Sequence, residues 1–330
     1  MQKPKICVFN YRDFDEGAYF EKISKELNID LVICPSGPSK DNINLAKDCQ
    51  CVSIITTPID AELMEQLHVF GIKMISTRTI GFDHIDLAAA KKYDIAVSNA
   101  TYSTNGVADY AIMLMMMSTR KMKHIMQRAN IQDFSLRGLQ GREFAALTIG
   151  IIGTGKIGQT VIRHLSGFGN PLLACSLYEC DDVKKYAQYV SLPELIQRSD
   201  IISLHTPLDE NNYHMINSES IAAMKNQVIL VNTARGGLID TTALLDALES
   251  GKIGAAALDV IEDEFSLYYN DLKSQVLSNR NLAILRSYPN VIVTPHMAFY
   301  TDQDVHDMVY SSLKSCLLEI AGEKNPWRVN

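Results

Sequence analysis

The chain has 330 residues, 47% of them hydrophobic and 21% charged, an ordinary globular composition that excludes a disordered or fibrous polymer. Its 31 Lys and Arg stand against 38 Asp and Glu, a formal net charge of −7, and no basic tract offers the clustered cations that hold nucleic-acid phosphates. At roughly 100 to 200 residues per domain, the length predicts about two domains, each able to bury an apolar core without metal or disulfide staples.

Taken from the N-terminus, the apolar run at residues 6–9 is too short for a signal peptide. A cytoplasmic location is the expectation. Runs rich in β-branched residues recur at 6–9, 30–34, 52–56, 73–76 and 95–98, and the stretches 19–27 and 61–70 between them repeat their apolar residues near a 3.6 period. That alternation predicts parallel βαβ units with helices on both faces of a sheet. A long Met-rich pattern follows at 103–123, opened by Ser103-Thr104-Asn105, which suits a helix start. Its methionines (Met113, Met115, Met116, Met117, Met122, Met126) are read as packing residues rather than a ligand surface.

A second strand series begins at 147–152 and continues through 172–175, 201–204, 228–232, 255–258 and 291–294, predicting one larger parallel sheet. The last amphipathic pattern, 301–321, has too little sequence after it to build a domain, so it is expected to return to the first. The predicted division is a discontinuous domain of residues 1–101 and 300–330 around an inserted domain of residues 102–299. The longest apolar helical stretch, 110–117, falls well short of the roughly 18 residues needed to span a bilayer. Seven scattered cysteines read as reduced thiols, and the Cys49/Cys51 spacing suits neither zinc nor a redox pair. No HExxH or His/Cys cluster argues for a metal.

Gly153-Thr154-Gly155-Lys156-Ile157-Gly158 follows directly on the strand at 147–152 and opens a helical pattern, the context that gives a GxGxxG its mechanism. Gly153 permits the tight turn, Gly155 lets a pyrophosphate approach the backbone, and Gly158 allows close packing of helix on strand. Lys156 and Ile157 open the helix, whose free N–H groups and positive dipole end face the phosphates. In the place of the acid that normally binds the ribose 2′-hydroxyl stands Ser176. Serine admits a 2′-phosphate, yet no Arg follows to bind one; Lys184 and Lys185 are substitutes, while Glu179, Asp181 and Asp182 oppose them. The cofactor is therefore NAD or NADP.

Hydride transfer to a 2-oxo acid needs a cation for the carboxylate, a proton donor for the carbonyl oxygen and a carboxylate behind that donor. Arg235, His296 and Glu264 follow strands 228–232, 291–294 and 255–258, at the carboxyl ends where ligands bind in open α/β sheets.

With these segments in view, the sequence resembles the D-isomer-specific 2-hydroxyacid dehydrogenase family, and most closely its D-lactate dehydrogenase branch. The motifs that carry the resemblance are GTGKIG, SLHTPL (203–208), NTARGGLID (232–240), ALDVIEDE (257–264) and TPHMAFYT (294–301), and it covers nearly the whole chain. It implies a Rossmann nucleotide-binding domain inserted into a flavodoxin-like substrate domain, usually in a homodimer, with a small-molecule substrate and no nucleic acid or membrane. It further implies that Arg235 binds the substrate carboxylate, that His296 protonates the carbonyl oxygen, and that Glu264 bonds His296 and favours the imidazolium. Asp259 resembles a residue that contacts the nicotinamide amide. Thr206, Pro207, Asn212, Thr233, Ala234 and Arg235 match cofactor-contacting positions. In the first domain, Arg78 is a candidate substrate-binding residue at the start of a loop that resembles one in which the amides of Ile80 and Gly81 hold the carboxylate, and Tyr102 and Tyr300 resemble pocket-lining residues. His205 is expected to support the cofactor loop, and His68, His84, His124, His164, His214 and His306 are read as structural or exposed rather than as ligands.

Pyruvate is the substrate this resemblance favours, with larger 2-oxo acids such as 2-oxoisocaproate and phenylpyruvate as the alternative. A corepressor-like dinucleotide-sensing protein on the same fold is a further alternative from another class. Formate dehydrogenases of the superfamily carry Gln in the carboxylate role, which Glu264 opposes, and no GxSxG elbow suggests a serine hydrolase.

Overall fold

Alternation along β1 (Lys5–Val8) sends Ile6 and Val8 into one apolar cluster and Cys7 into another, because successive strand side chains point to opposite sheet faces. The same alternation holds in the strands beside it, so both faces of this sheet are buried. The computed structural model describes residues 3–264 and 267–330, and the chain forms two units: Met1–Ser103 with Tyr300–Asn330, and Thr104–Phe299.

The first unit holds β1, β2 (Asp30–Ile33), β3 (Cys51–Ile54), β4 (Met74–Thr77) and β5 (Ala96–Ser98) in the order β2-β1-β3-β4-β5, with every pairing parallel. This is the flavodoxin-like order. One face packs on the helices Ala61–Val69 and Leu87–Lys92, whose first turns are capped by the side chains of Asp60 and Asp86. The other packs on Asp13–Glu26 and on the C-terminal helix Asp302–Ala321, which delivers Val309, Leu313 and Cys316 to that core. Thr301 caps this last helix through the amide of Asp304.

The second unit is a seven-stranded parallel sheet made of β6 (Ile149–Ile152), β7 (Leu172–Cys175), β8 (Gln188–Tyr189), β9 (Ile201–Leu204), β10 (Val228–Asn232), β11 (Ile253–Leu258) and β12 (Val291–Val293). Its order, β12-β11-β10-β9-β6-β7-β8, is the doubly wound dinucleotide-binding order, with the crossover between β6 and β9 opening a crevice at the carboxyl ends. Alanines at 255, 256 and 257 keep β11 thin enough for helices to pack on both faces.

Two details depart from the sequence reading. The pattern at 103–123 is two helices, Thr104–Thr119 and Met122–Asn130, broken where Lys121 takes a left-handed backbone (φ 53°). Met115 is buried in the core of the sheet while Met113 and Met126 are exposed. The short edge strand β8 was not foreseen, since two residues carry no periodicity. All seven cysteines are free thiols, five of them buried. Among the described residues, no helix is long and apolar enough to cross a membrane.

Candidate active site

The second unit brings Arg235, Glu264 and His296 to the ends of adjacent strands. β10 ends on the fully buried Asn232, whose side chain accepts the amide of Ala234 at 3.0 Å and donates to the carbonyl of Arg235 at 2.8 Å. That closes the turn presenting the half-buried Arg235, whose Nη1 donates to the Ala234 carbonyl at 2.8 Å. Glu264 grips two partners: Oε1 lies 2.6 Å from His296 Nδ1, and Oε2 accepts the amide of Ile261 at 3.1 Å. A carboxylate on Nδ1 fixes the ring so that Nε2 is the nitrogen left for proton transfer. His296 itself adopts a left-handed backbone (φ 53°), an unusual conformation for a residue with a side chain. Phe299, which the sequence reading did not single out, stands edge-on to the His296 ring at 6.3 Å.

Asp259 stands directly after β11. It is fully buried, and its carboxylate accepts Thr294 Oγ1 at 2.5 Å and the amides of Met297 and Ala298 at 2.8 and 2.9 Å. In this arrangement it builds the turn that carries His296.

The glycine loop has the geometry its spacing implies. Gly153 is left-handed (φ 96°), and a Cβ there would lie 2.4 Å from the His205 carbonyl oxygen; one on Gly158 would lie 2.0 Å from the Gly153 carbonyl oxygen. A Cβ on Gly155 would meet nothing within 4 Å. The helix Lys156–Leu165 has no side-chain cap, so its first amides are open to an anion. Buried Thr154 accepts the Tyr189 hydroxyl at 2.8 Å and donates to the Tyr178 carbonyl at 3.3 Å. It thereby ties the loop to the segment after β7. Thr233 Oγ1 is buried without a hydrogen-bond partner, the sort of orphaned group that a ligand satisfies. These residues fit a dinucleotide.

Ser176 is half-buried at the end of β7. Nearby, Lys184 pairs with Glu179 at 3.0 Å and Asp181 at 3.1 Å, and Lys185 with Asp182 at 2.5 Å. Asn212 clasps its own loop, donating to the Pro207 carbonyl at 2.7 Å and accepting the Asp209 amide at 2.8 Å. Thr206 Oγ1 donates to the same Pro207 carbonyl at 3.4 Å. His205 bonds Ser203 Oγ at 2.9 Å, and burial lowers its pKa to about 4, so it serves as a neutral support.

In the first unit Arg78 corrects the sequence reading. Its guanidinium is wholly buried, with Nε 3.0 Å from Glu16 Oε1, Nη1 donating to Ser53 Oγ at 2.9 Å, and Nη2 to the carbonyls of Phe9 and Asn10 at 3.1 and 3.0 Å. No part of it is left to face a substrate, and it anchors the start of the loop instead. That loop is tied down through carbonyls: Asn99 Nδ2 donates to Ile80 O at 2.9 Å and Thr79 Oγ1 to Gly81 O at 2.6 Å. These bonds do not use the amides of Ile80 and Gly81. Tyr300 is partly exposed, with the Arg12 guanidinium 5.9 Å from its ring centre, and Tyr102 is half-buried.

A dinucleotide-binding sheet bearing Arg, Glu and His at its carboxyl edge defines a nicotinamide-dependent oxidoreductase. The sequence model of the D-isomer specific 2-hydroxyacid dehydrogenase NAD-binding domain matches residues 112–298. A D-specific alpha-keto acid dehydrogenase of Enterococcus faecium is 41% identical over 92% of this chain and 93% of its own. An aromatic 2-oxoacid reductase of Clostridium sporogenes is 41% identical over 94% of each chain. In three dimensions, a D-lactate dehydrogenase of Treponema pallidum superposes with a TM-score of 0.89 at 33% identity, covering 99% of both chains. The chain belongs to the D-isomer-specific 2-hydroxyacid dehydrogenase family and is an NAD(P)-dependent enzyme that reduces 2-oxo acids to D-2-hydroxy acids.

Proposed function

We propose that the enzyme reduces pyruvate, with His296 as the proton donor and Arg235 as the carboxylate anchor. The roles are supported most by the 2.6 Å bond between Glu264 and His296 Nδ1, beside an Arg whose turn is fixed by Asn232, and the choice of pyruvate by the likeness to a D-lactate dehydrogenase over 99% of both chains. A bound reduced nicotinamide supplies the hydride. Arg235 holds the substrate carboxylate and polarises the 2-oxo group. As C2 gains the hydride, its carbonyl oxygen takes the proton from His296 Nε2, and the imidazolium charge is lost. Glu264 keeps the ring in place through Nδ1.

The second reading is a preference for larger 2-oxo acids, favoured by the 41% identity to an aromatic 2-oxoacid reductase. Every such substrate presents the same carboxylate and 2-oxo group to Arg235 and His296, so the catalytic set serves both readings. For the cofactor, Ser176 carries no charge to repel a 2′-phosphate, and the exposed pairs of Lys184 and Lys185 are weak enough to exchange. Use of both NADH and NADPH is the reading these residues support.

Steady-state assays with pyruvate, 2-oxoisocaproate and phenylpyruvate, each with NADH and NADPH, test the proposal directly. The highest kcat/KM for pyruvate supports the first reading and the highest for phenylpyruvate the second. Turnover with none would leave a dinucleotide-binding protein. His296→Ala is expected to lose about 10²- to 10⁴-fold in kcat, and retention of most activity would remove His296 from the proton-donor role.

A further inference from the structure

We propose that His214 and Glu262 form a positioning pair that holds the Arg235 turn in register with Glu264, so that carboxylate anchor and proton donor meet one substrate together. This rests on the reading of Arg235, Glu264 and His296 as the catalytic set.

Glu262 lies between Asp259 and Glu264 in an acidic stretch that would pass for a solvated loop, yet its carboxylate is engaged on both oxygens. Oε1 accepts His214 Nε2 at 2.7 Å and the Tyr213 hydroxyl at 3.4 Å. Oε2 accepts Thr241 at both its amide (3.2 Å) and its Oγ1 (2.5 Å). Burial alone would raise the pKa of Glu262, but these bonds outweigh it and hold the carboxyl below its usual range. It is thus an ionised hub for three segments, those following β9, β10 and β11.

The backbone shows what the hub fixes. His214 donates its amide to the Gly237 carbonyl at 2.8 Å, Ile216 to Leu238 at 3.0 Å, and Asp240 back to Ile216 at 2.8 Å. These bonds lace the cofactor loop to the segment that begins at Arg235. Gly236, the next residue, sits against the Ile261–Glu262 peptide so closely that a Cβ would lie 2.1 Å from the Ile261 carbonyl carbon and 2.4 Å from the Glu262 nitrogen. The amide of Ile261 in turn donates to Glu264 Oε2 at 3.1 Å. One short stretch of main chain therefore touches the Arg235 turn on one side and the His296 partner on the other, and the Glu262 side chain pins it. An error there displaces both catalytic groups at once.

The full-length enzyme carrying His214→Ala, His214→Gln or Thr241→Val tests this by kcat, KM for both substrates, thermal unfolding, and the primary isotope effect with cofactor deuterated at the transferred position. His214→Ala should lower kcat roughly 10- to 100-fold, as misplacement of reacting groups does, with an enlarged isotope effect because the chemical step becomes limiting. His214→Gln keeps an N–H near the Nε2 position and should recover kcat to within about threefold of the parent. Should His214→Ala fail to fold, Thr241→Val removes one donor only, and a smaller loss of kcat with an enlarged isotope effect supports the pair. An unchanged kcat and isotope effect in the folded variants overturns it, as does a loss with an unchanged isotope effect and no recovery by Gln. Absence of turnover in the unmutated enzyme would overturn the catalytic reading and the pair with it, a result distinct from indifference to His214.

Discussion

Asp259 holds His296 through both its main chain and its side chain: the main-chain oxygen accepts the His296 amide at 2.8 Å, and the carboxylate accepts the next two amides, of Met297 and Ala298. The left-handed backbone of His296 is sustained by this clamp. Charge-assisted bonds of this kind contribute about 1.5–3 kcal/mol each. Asp259→Asn places an N–H₂ where donors already point, and kcat is expected to fall roughly 10²-fold as the proton donor loses its place. Cofactor affinity, measured by fluorescence titration, should change little. A much weaker cofactor with normal kcat would return Asp259 to the nicotinamide.

For the cofactor, Ser176→Asp restores an acid at the end of β7. The ratio of kcat/KM with NADPH to that with NADH should fall at least about tenfold, the cost of setting a carboxylate beside a 2′-phosphate. Equal ratios before and after would show that the residue does not read the 2′ position.

Arg78→Met tests the reassignment of Arg78. Removing one partner of a buried, hydrogen-bonded pair leaves Glu16 only the Arg12 guanidinium at 3.3 Å and costs about 3 kcal/mol. Denaturant unfolding should show that loss in the first unit, while KM for the 2-oxo acid in the folded enzyme stays within about threefold of the parent. A large rise in KM with unchanged stability would put the guanidinium back in contact with substrate.

Asp304 is fully buried in the C-terminal helix, and desolvation raises its pKa to about 6, with Asp307 and Asp302 adding to the effect. Between about pH 4 and 6 the folded chain keeps a proton that the unfolded chain has released, so this group's contribution to stability is present below pH 4 and is lost as pH rises through 6. At neutral pH the ionised form is destabilising by up to about 3 kcal/mol. Asp304→Asn should therefore raise the melting temperature at pH 7.5 and lose that advantage toward pH 4. An advantage that is equal at both pH values would exclude titration of Asp304 as its source.

The alternation of apolar strands and 3.6-period helices was legible because both sheets are parallel and buried on both faces, which leaves continuous runs such as Val228–Asn232. The glycine loop was legible for the same local reason, since strand, turn and helix are contiguous. Direction was not legible. Arg78 and Asp259 both sit at strand ends beside functional segments, yet each points inward to partners far along the chain, Glu16 for one and the 294–298 turn for the other. Glu262 and His214 were passed over because an isolated acid and an isolated histidine, 48 positions apart, carry no shared pattern.

The C-terminal helix Asp302–Ala321 gives the chain an order of assembly. Its Val309, Leu313 and Cys316 cover the face formed by Ile6, Val8, Cys51, Met74 and Ala96, and its Ser312 bonds Ser53 at 2.8 Å. On the ribosome, everything needed for the inserted unit emerges before that helix does. The earlier-made strands therefore have only the helix Asp13–Glu26 on that face while the later-made sheet has the chance to form. Losing that helix should therefore expose the sheet of the first unit, which is made before it, rather than the sheet of the inserted unit.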